Sequence, residues 1–386
     1  MKKKLEERDG ISRKIRVGVV FGGRSAEHEV SLVSAAAIMN ALDKNRYEIV
    51  PIGITPAGRW LSSPDAVKLL KEGVDLSKFP EKILLPDPTH RDLVSLDQSN
   101  PGSDGQKLDV IFPIVHGTFG EDGTLQGLFE LANIPYVGAG VLGSAVGMDK
   151  VMAKQLFEQE GISVAPYLTF LSSHFEEDKK KILSSVEKKL KYPCFVKPAN
   201  SGSSVGISKS HNRRELVQSI ELAMQYDRKI LIEKCVRHAR EIELSVMGND
   251  DPVASIPGEI IPSNEFYDYD AKYVDGKSTA VIPASLSKSV IKKLQQYAVA
   301  GYKAVDCSGM ARVDFLVNRK TNAIVLNELN TIPGFTSISM YPKLWEASGI
   351  PYSKLLDRLI QLAIERHAQK AALKTTYVPK TAWYKE

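Results

Sequence analysis

Two apolar runs that stop at glycine constrain this chain more than any other feature. IRVGVVF (15–21) ends at Gly22-Gly23, and DVIFPIV (109–115) ends at His116-Gly117. Runs this short, without polar alternation, read as strands buried on both faces, which means a parallel sheet covered by helices. Between them, Val30, Val33, Ala37, Ile38 and Ala41 recur at helical spacing over 29–42, and 47–54 reads as a second strand. A short helix at 125–132 and a strand at 134–137 follow. Strands alternating with helices predict an open α/β sheet, with ligands at the carboxyl ends of its strands. The stretch 57–106, with Pro64, Pro80, Pro86, Pro88 and Pro101, is irregular and reads as an elaboration or loop. The first domain is placed at 1–140.

The next segment, 141–233, reads as a compact lobe. It starts with one helix over 143–160, stopped by Gly161, and continues as strands at 167–170, 194–197 and 229–233 with helices at 176–189 and about 213–224. The remainder, 234–386, has strand-like runs at 241–247, 311–317 and 324–328. It closes with an amphipathic helix at about 352–367 that turns Leu355, Leu356, Leu359, Ile360 and Ala363 to the core. The fold class is therefore α/β and α+β, and 386 residues suit two or three domains.

Composition excludes several classes. With 43% hydrophobic and 25% charged residues the chain is neither disordered nor fibrous. Its 51 basic and 46 acidic side chains are intermixed, so no stripe for nucleic acid emerges. Cys194, Cys235 and Cys307 form no CxxC or zinc spacing, as expected in a reducing compartment. No apolar segment follows MKKKLEERDG, and nothing approaches the ~18 apolar residues of a membrane span. A cytoplasmic protein without a membrane partner is expected.

Chemistry concentrates in MARVDFLVNRKTNAIVLNELNTIPG (310–334), two strands around a polar turn. Alternation puts Arg312 with Asp314 on one face and Glu328 with Asn330 on the corresponding face of the partner, while Val313, Phe315 and Val317 point away. Two carboxylates and an amide carbonyl are hard ligands suited to Mg²⁺; the alternative is a solvated face with an ordinary salt bridge. In CFVKPANSGSSVGISK (194–209) a strand delivers Lys197 into a loop where Gly202, Gly206, Ser201, Ser203 and Ser204 could wrap phosphate oxygens, or could form a plain turn. The spacing is not that of a Walker A loop. Lys150 reads as mid-helix, where a lysine is commonly only solvated. LIEK (231–234) ends an apolar strand and could meet an adenine and ribose. In GGRSAEHEVS (22–31), Ser25 could cap the next helix and Glu27 sits favourably at its N-terminus whatever its function. HGTFGEDG (116–123) puts His116 where a substrate group would be met, or in a turn that satisfies it.

These segments, with YVGAG, SAVGMDK and FYDYDAKY (266–273), ARVDF and NELNTIPGFTSIS in the same order, resemble the D-alanine–D-alanine ligases of the ATP-grasp superfamily over about 15–365. The resemblance implies an N-terminal α/β domain followed by a two-lobed ATP-grasp fold that clasps ATP between two sheets. It implies Lys150 and Lys197 on the phosphates, with Ser203 and Ser204 in the loop closing over them. Glu233 with Lys234 would meet the adenine, and Glu241 the ribose. Asp314, Glu328 and Asn330 would hold two Mg²⁺ ions, with Mn²⁺ as the alternative. Glu27, near His116, would hold the amino group of the first D-alanine. Arg312 and the Gly334 N–H would stabilise the oxyanion, and Ser339, beside Met340, would bind the carboxylate of the second D-alanine. Tyr273 would lie near Ser203 and Glu27, and Lys272 near the phosphates.

The implied reaction activates one D-alanine carboxylate as an acyl phosphate at the expense of ATP, and the amine of the second then expels phosphate. A homodimer formed through the N-terminal domain is implied too. Tyr273 matches members that make the dipeptide, so D-alanine is favoured over D-lactate. Ala311 and Cys235 depart from common family residues at their positions, and the tail beyond about 368 matches nothing. Two rivals share some of these features: an ATP-grasp ligase for another acid and amine, and a nucleotide-binding regulator without turnover.

Overall fold

In this computed structural model, residues 13–73, 81–96, 102–103, 107–261, 279–377 and 379 are described. Strand β1 (Ile15–Gly22) is buried at every position after Ile15, as a strand without polar alternation must be. It leads through α1 (His28–Ala41) to the parallel strand β2 (Tyr47–Ile54). Next come β3 (Trp60–Ser62), α2 (Ala66–Lys71), β4 (Lys82–Leu84), β5 (Leu93–Ser95), β6 (Gly102–Ser103), β7 (Val110–Pro113) and α3 (Thr124–Leu131). The first sheet has the order β3-β2-β1-β7, with β1 parallel to both neighbours and β3 antiparallel to β2.

The stretch 57–106 is therefore not a plain loop. It contributes β3 and α2, and β4-β5-β6 form a small antiparallel sheet. Leu84 and Leu93 join Val20, Ile52 and Ile111 in one apolar cluster, which anchors the elaboration to the first sheet. Residues 134–137, expected to form a strand, make only a single bridge between Tyr136 and Ile111. Their apolar side chains are core packing without a ladder.

The expected helix at 143–160 is two helices, α4 (Val141–Met148) and α5 (Lys150–Gln159). Asp149 separates them: its backbone is extended, and its carboxylate accepts the N–H groups of Val151 and Met152 at 3.1 Å. Lys150 thus opens a helix and does not sit in the middle of one. The four-stranded antiparallel sheet that follows has the order β10-β9-β11-β8, built from β8 (Tyr167–Leu171), β9 (Cys194–Pro198), β10 (Ser208–Ser210) and β11 (Lys229–Lys234). Helices α6 (Phe175–Lys189) and α7 (Arg213–Ala223) cover it, packing Phe175, Leu183, Leu216 and Ile220 on Val196, Ile230 and Ile232.

The third sheet runs β15-β14-β12-β16-β17, with β13 beside β12. Its strands are β12 (Ala239–Gly248), β13 (Val253–Ala254), β14 (Gly258–Ile261), β15 (Thr279–Val281), β16 (Gly309–Asn318) and β17 (Ile324–Asn330). Leu244, Val246, Val313 and Phe315 pack beneath Leu294, Ala298 and Tyr302 of α8 (Lys288–Ala304), with Phe157 of α5 in the same cluster. After α9 (Met340–Ala347), helix α10 (Tyr352–Ala371) buries the five expected residues against the core of the first sheet. Among the described residues no helix is long and apolar enough to cross a membrane.

Candidate active site

The β16–β17 hairpin has the expected alternation. Ala311, Val313, Phe315 and Val317 are buried, and Arg312 and Asp314 face the other way. Arg312 pairs with Asn330 and Asp314 with Glu328 across the ladder. The register then slips, so that Phe315 opposes Leu326 and Asn327 becomes an extra residue. Arg312 Nε and Nη2 donate to the two Asp314 carboxylate oxygens at 2.8 and 2.7 Å, and Nε lies 3.1 Å from Glu243 Oε2. Asn330 Nδ2 donates to Asp314 Oδ2 at 3.0 Å. Burial disfavours the charged guanidinium, but Asp314 and Glu243 outweigh it and hold the Arg312 pKa well above its ordinary value.

Between the second and third sheets lies a cleft of about 590 Å³. Lys197, Glu233 and Lys234 line it from one side, Glu241, Asp314 and Glu328 from the other, and Ser204 from the Gly/Ser loop. Glu233 is only 3% exposed, with Lys154 Nζ and Lys197 Nζ each 2.5 Å from one of its oxygens. Burial alone would raise its pKa; the two ammonium groups overcome that and bring it down to about 2.

A smaller cavity of about 260 Å³ adjoins this cleft and shares Ser204, Arg312 and Glu328 with it. Glu27, His116, Lys150 and Ser203 line one part of it, and Asn330, Gly334, Ser339 and Met340 another. Glu27 occupies the N-cap position of α1, placed there by the turn at Gly22-Gly23. Gly22 has φ +86° and a Cβ there would lie 2.2 Å from the Ile54 carbonyl oxygen, so only glycine fits. Ser25 Oγ accepts the Glu27 N–H at 2.9 Å. It does not cap the helix through the first-turn donors of α1.

The Gly/Ser loop comes down onto Glu27: Ser203 Oγ donates to Glu27 Oε1, and a Cβ on Gly202 would lie 2.6 Å from Glu27 Oε2. Ser203 and Ser204 both adopt left-handed backbone, at φ 46° and 60°, a strained arrangement often found where a loop grips a ligand. Lys150 Nζ donates to the Ser201 carbonyl at 2.6 Å, tying the start of α5 to the same loop. His116 Nδ1 is 2.9 Å from the Ile332 carbonyl, so that nitrogen carries the proton, and burial lowers the pKa of the ring. The Ser339 hydroxyl meets Thr336, accepting its N–H at 3.0 Å.

The structure thus gathers the sequence-derived candidates around two connected cavities. Lys272 and Tyr273, with the rest of FYDYDAKY, lie outside the described residues. Four buried or bridging polar residues were not singled out from the sequence: Glu121, Lys154, Glu243 and Asn327. Spacing does carry some signal. Lys154 is four residues after Lys150, and Glu243 shares its strand face with Glu241. Among the described residues no group of three or more His, Cys, Asp or Glu forms a metal site. The set at the hairpin is two carboxylates and one amide, a sparse hard-oxygen donor set. It fits Mg²⁺, which keeps several waters and shares phosphate oxygens.

A cleft that carries Lys197 and Lys234 opposite Glu241, Asp314 and Glu328, opening onto a pocket with a carboxylate and an arginine, can take a polyanion and a small amino acid side by side. The comparisons agree with that layout. The family models described as D-ala D-ala ligase N-terminus and D-ala D-ala ligase C-terminus match residues 16–139 and 156–361. The D-alanine–D-alanine ligase of Chloroherpeton thalassium is 53% identical over 363 residues, covering 92% of this chain and 98% of that one. That of Natranaerobius thermophilus is 52% identical over 358 residues, covering 93% and 97%. Among solved structures, the VanG D-Ala:D-Ser ligase from Enterococcus faecalis superimposes with a TM-score of 0.80 at 37% identity, covering 91% of this chain and 100% of that one. The D-alanine–D-alanine ligase from Coxiella burnetii gives 0.78 at 39%, covering 93% and 97%. Two antiparallel sheets enclosing such a cleft are the ATP-grasp fold. With both halves matched and half the residues shared with such enzymes, the chain belongs to the D-alanine–D-alanine ligase family.

Proposed function

We propose that this ligase uses ATP to join two D-alanines, giving D-alanyl-D-alanine, ADP and phosphate for peptidoglycan precursor synthesis. The observation that carries the reading is the position of Arg312, shared by the nucleotide-sized cleft and the amino-acid-sized cavity beside it. Supporting it, the relatives that share about half their residues with this chain carry the name D-alanine–D-alanine ligase.

Glu27 holds the ammonium of the first D-alanine, with His116 beside it. ATP lies between the sheets, its adenine toward Glu233 and Lys234, its ribose toward Glu241, and its phosphates at Lys150, Lys197 and the Ser203-Ser204 loop. The carboxylate of the first D-alanine attacks the γ-phosphorus, a C–O–P linkage forms, and ADP leaves. Ser339 and Met340 place the second D-alanine. Its neutral amine attacks the acyl carbon, and Arg312 and the Gly334 N–H stabilise the oxyanion. The C–N bond forms as the C–O bond to phosphate breaks. Asp314, Glu328 and Asn330 would hold Mg²⁺, which supplies charge neutralisation at the phosphates.

The same reading divides the chain at about 140 and 233, makes it a homodimer through its N-terminal domain, and places it in the cytoplasm. Coupled ADP release with D-alanine, followed by product identification, tests the proposal. D-alanine-dependent ADP release yielding the dipeptide supports it. A product formed only with D-serine or D-lactate as second substrate, or nucleotide binding without turnover, overturns it.

A further inference from the structure

Lys154 is 1% exposed, the most deeply buried lysine at the nucleotide cleft, and it does not line the cleft itself. Its ammonium is 2.5 Å from Glu233 Oε1 and donates to the Asn327 carbonyl at 3.2 Å. On the far side of the same carboxylate, Lys197 lies 2.5 Å from Glu233 Oε2 and donates to Asn327 Oδ1 at 3.3 Å. One carboxylate and one asparagine thus join α5, β9, β11 and β17. Asn327 reaches both lysines because it is the extra residue of the bulge, which leaves Asp314 and Glu328 in register beside it.

Without Lys154, Glu233 would neutralise Lys197, the cation that faces the cleft. Two ammonium groups around one carboxylate leave one net positive charge. Glu328 and Glu241 act on Lys197, Tyr167 lies opposite Glu233 on β8, and Lys209 shares the Phe195 ring with Lys197. Among the described residues, Lys154 and Lys197 are the two ammonium groups paired with the Glu233 carboxylate. Accepting the reading above that Lys197 meets the phosphates of ATP, we infer that Lys154 is a positioning residue for nucleotide binding: it offsets the charge of Glu233 and, with Asn327, holds Lys197 so that its positive charge serves the triphosphate.

The proposal differs from a purely structural role in its charge arithmetic. Lys154→Met leaves Glu233 and Lys197 as a neutral pair. Lys154→Met combined with Glu233→Gln restores one net positive charge and leaves no buried carboxylate short of a partner. Tripolyphosphate, which has no adenine, is the probe, read as a competitive inhibitor against ATP in coupled ADP release from the full chain. Lys154→Met is expected to raise the ATP KM and the tripolyphosphate inhibition constant about tenfold while the D-alanine KM moves less than about twofold. The double variant is expected to return the tripolyphosphate constant to within about threefold of the native value. Should Lys154→Met not fold, Lys154→Gln, which removes the same charge and keeps a donor toward Glu233, takes its place in the comparison. A tripolyphosphate constant unchanged in Lys154→Met, or as weak in the double variant as in the single one, overturns the inference. Lys197→Met serves as the control. If it too leaves ATP and tripolyphosphate binding unchanged, the nucleotide reading of the cleft has failed; if it weakens both while Lys154→Met does not, only the role of Lys154 has failed.

Discussion

Glu121 Oε1 accepts the backbone N–H of Ile332 at 2.9 Å, across 211 residues of sequence. Its other oxygen accepts the Gly117 N–H at 2.7 Å, and Ile332 in turn offers its carbonyl to His116. One carboxyl group therefore clamps the turn carrying His116 to the segment that leads into Gly334. Geometry favours the ionised acid here, whereas burial and the negative charge of Glu27 oppose it and push its pKa up to about 8.

That shift has a definite sign. The folded chain keeps a proton on Glu121 that the unfolded chain releases near 4.5. The associated stability is fully present below that value and is lost as pH rises through about 8. Thermal unfolding followed from mildly acidic to mildly alkaline pH should show a fall in Tm across this window. Glu121→Gln cannot ionise and should flatten the fall. Parallel pH profiles for the two proteins would rule out a titrating Glu121.

Glu27 and Ser203 meet over the small cavity, one from the start of α1 and the other from a strained loop. Glu27→Gln keeps the shape and removes the charge proposed to hold the ammonium of the first D-alanine. Its D-alanine KM should rise by about tenfold or more, since charge-assisted hydrogen bonds contribute roughly 1.5–3 kcal/mol. Ser203→Ala should have a smaller effect in the same direction, and the ATP KM should change little in Glu27→Gln. Initial rates at varied D-alanine settle the point; equal shifts in both constants would argue against a dedicated amine site.

Arg312 has a two-pronged contact with Asp314 that a lysine cannot reproduce. Arg312→Lys keeps the charge, so the carboxylates around it stay compensated and the fold should survive. With Arg312 as the proposed oxyanion donor, the substitution removes a fixed donor and kcat should drop by about 10²–10³. Single-turnover measurement of dipeptide formation tests this against a mere change in product release. Arg312→Met should do worse in another way. It strands Asp314 and Glu243 in a buried setting, at a cost of about 3–5 kcal/mol, visible in denaturant unfolding.

Which parts could be read from sequence follows from the range of each interaction. β1, β7, the β16–β17 alternation and the apolar face of α10 carry their burial in local pattern, and they stand where that pattern puts them. Helix α8 repeats Val290, Leu294, Ala298 and Tyr302 at helical spacing, a local signal as plain as that of α10, although it is absent from the elements expected above. The break at Asp149 was hidden inside a continuous helical pattern, since an aspartate serves as well within a helix surface as at a cap. β4 and β5 are three residues each, too short for a period to show. At the site, Glu27, Arg312 and Asp314 stood out by motif and alternation. Glu121 and Lys154 did not, because each is defined by a partner more than 70 residues away. Asn327 became visible only through a bulge that no residue type announces.

Asp314 also bears on the metal. Its carboxylate is already occupied by the guanidinium of Arg312 and the amide of Asn330, so a cation binding there competes with groups in place. The donors assigned to the metal are three side chains, and Mg²⁺ binds weakly to such sparse sets unless phosphate oxygens complete its shell. The metal should therefore enter with the nucleotide. Calorimetric titration with Mg²⁺ alone should show little heat, and with an ATP analogue present a clear binding isotherm. Chelation with EDTA should abolish ADP release, and either Mg²⁺ or Mn²⁺ should restore it. Asp314→Asn should raise the Mg²⁺ concentration needed for half-maximal rate by about tenfold, leaving D-alanine binding at Glu27 largely intact. Tight Mg²⁺ binding to the nucleotide-free protein, or a native metal requirement in Asp314→Asn, would show that these three residues are not its ligands.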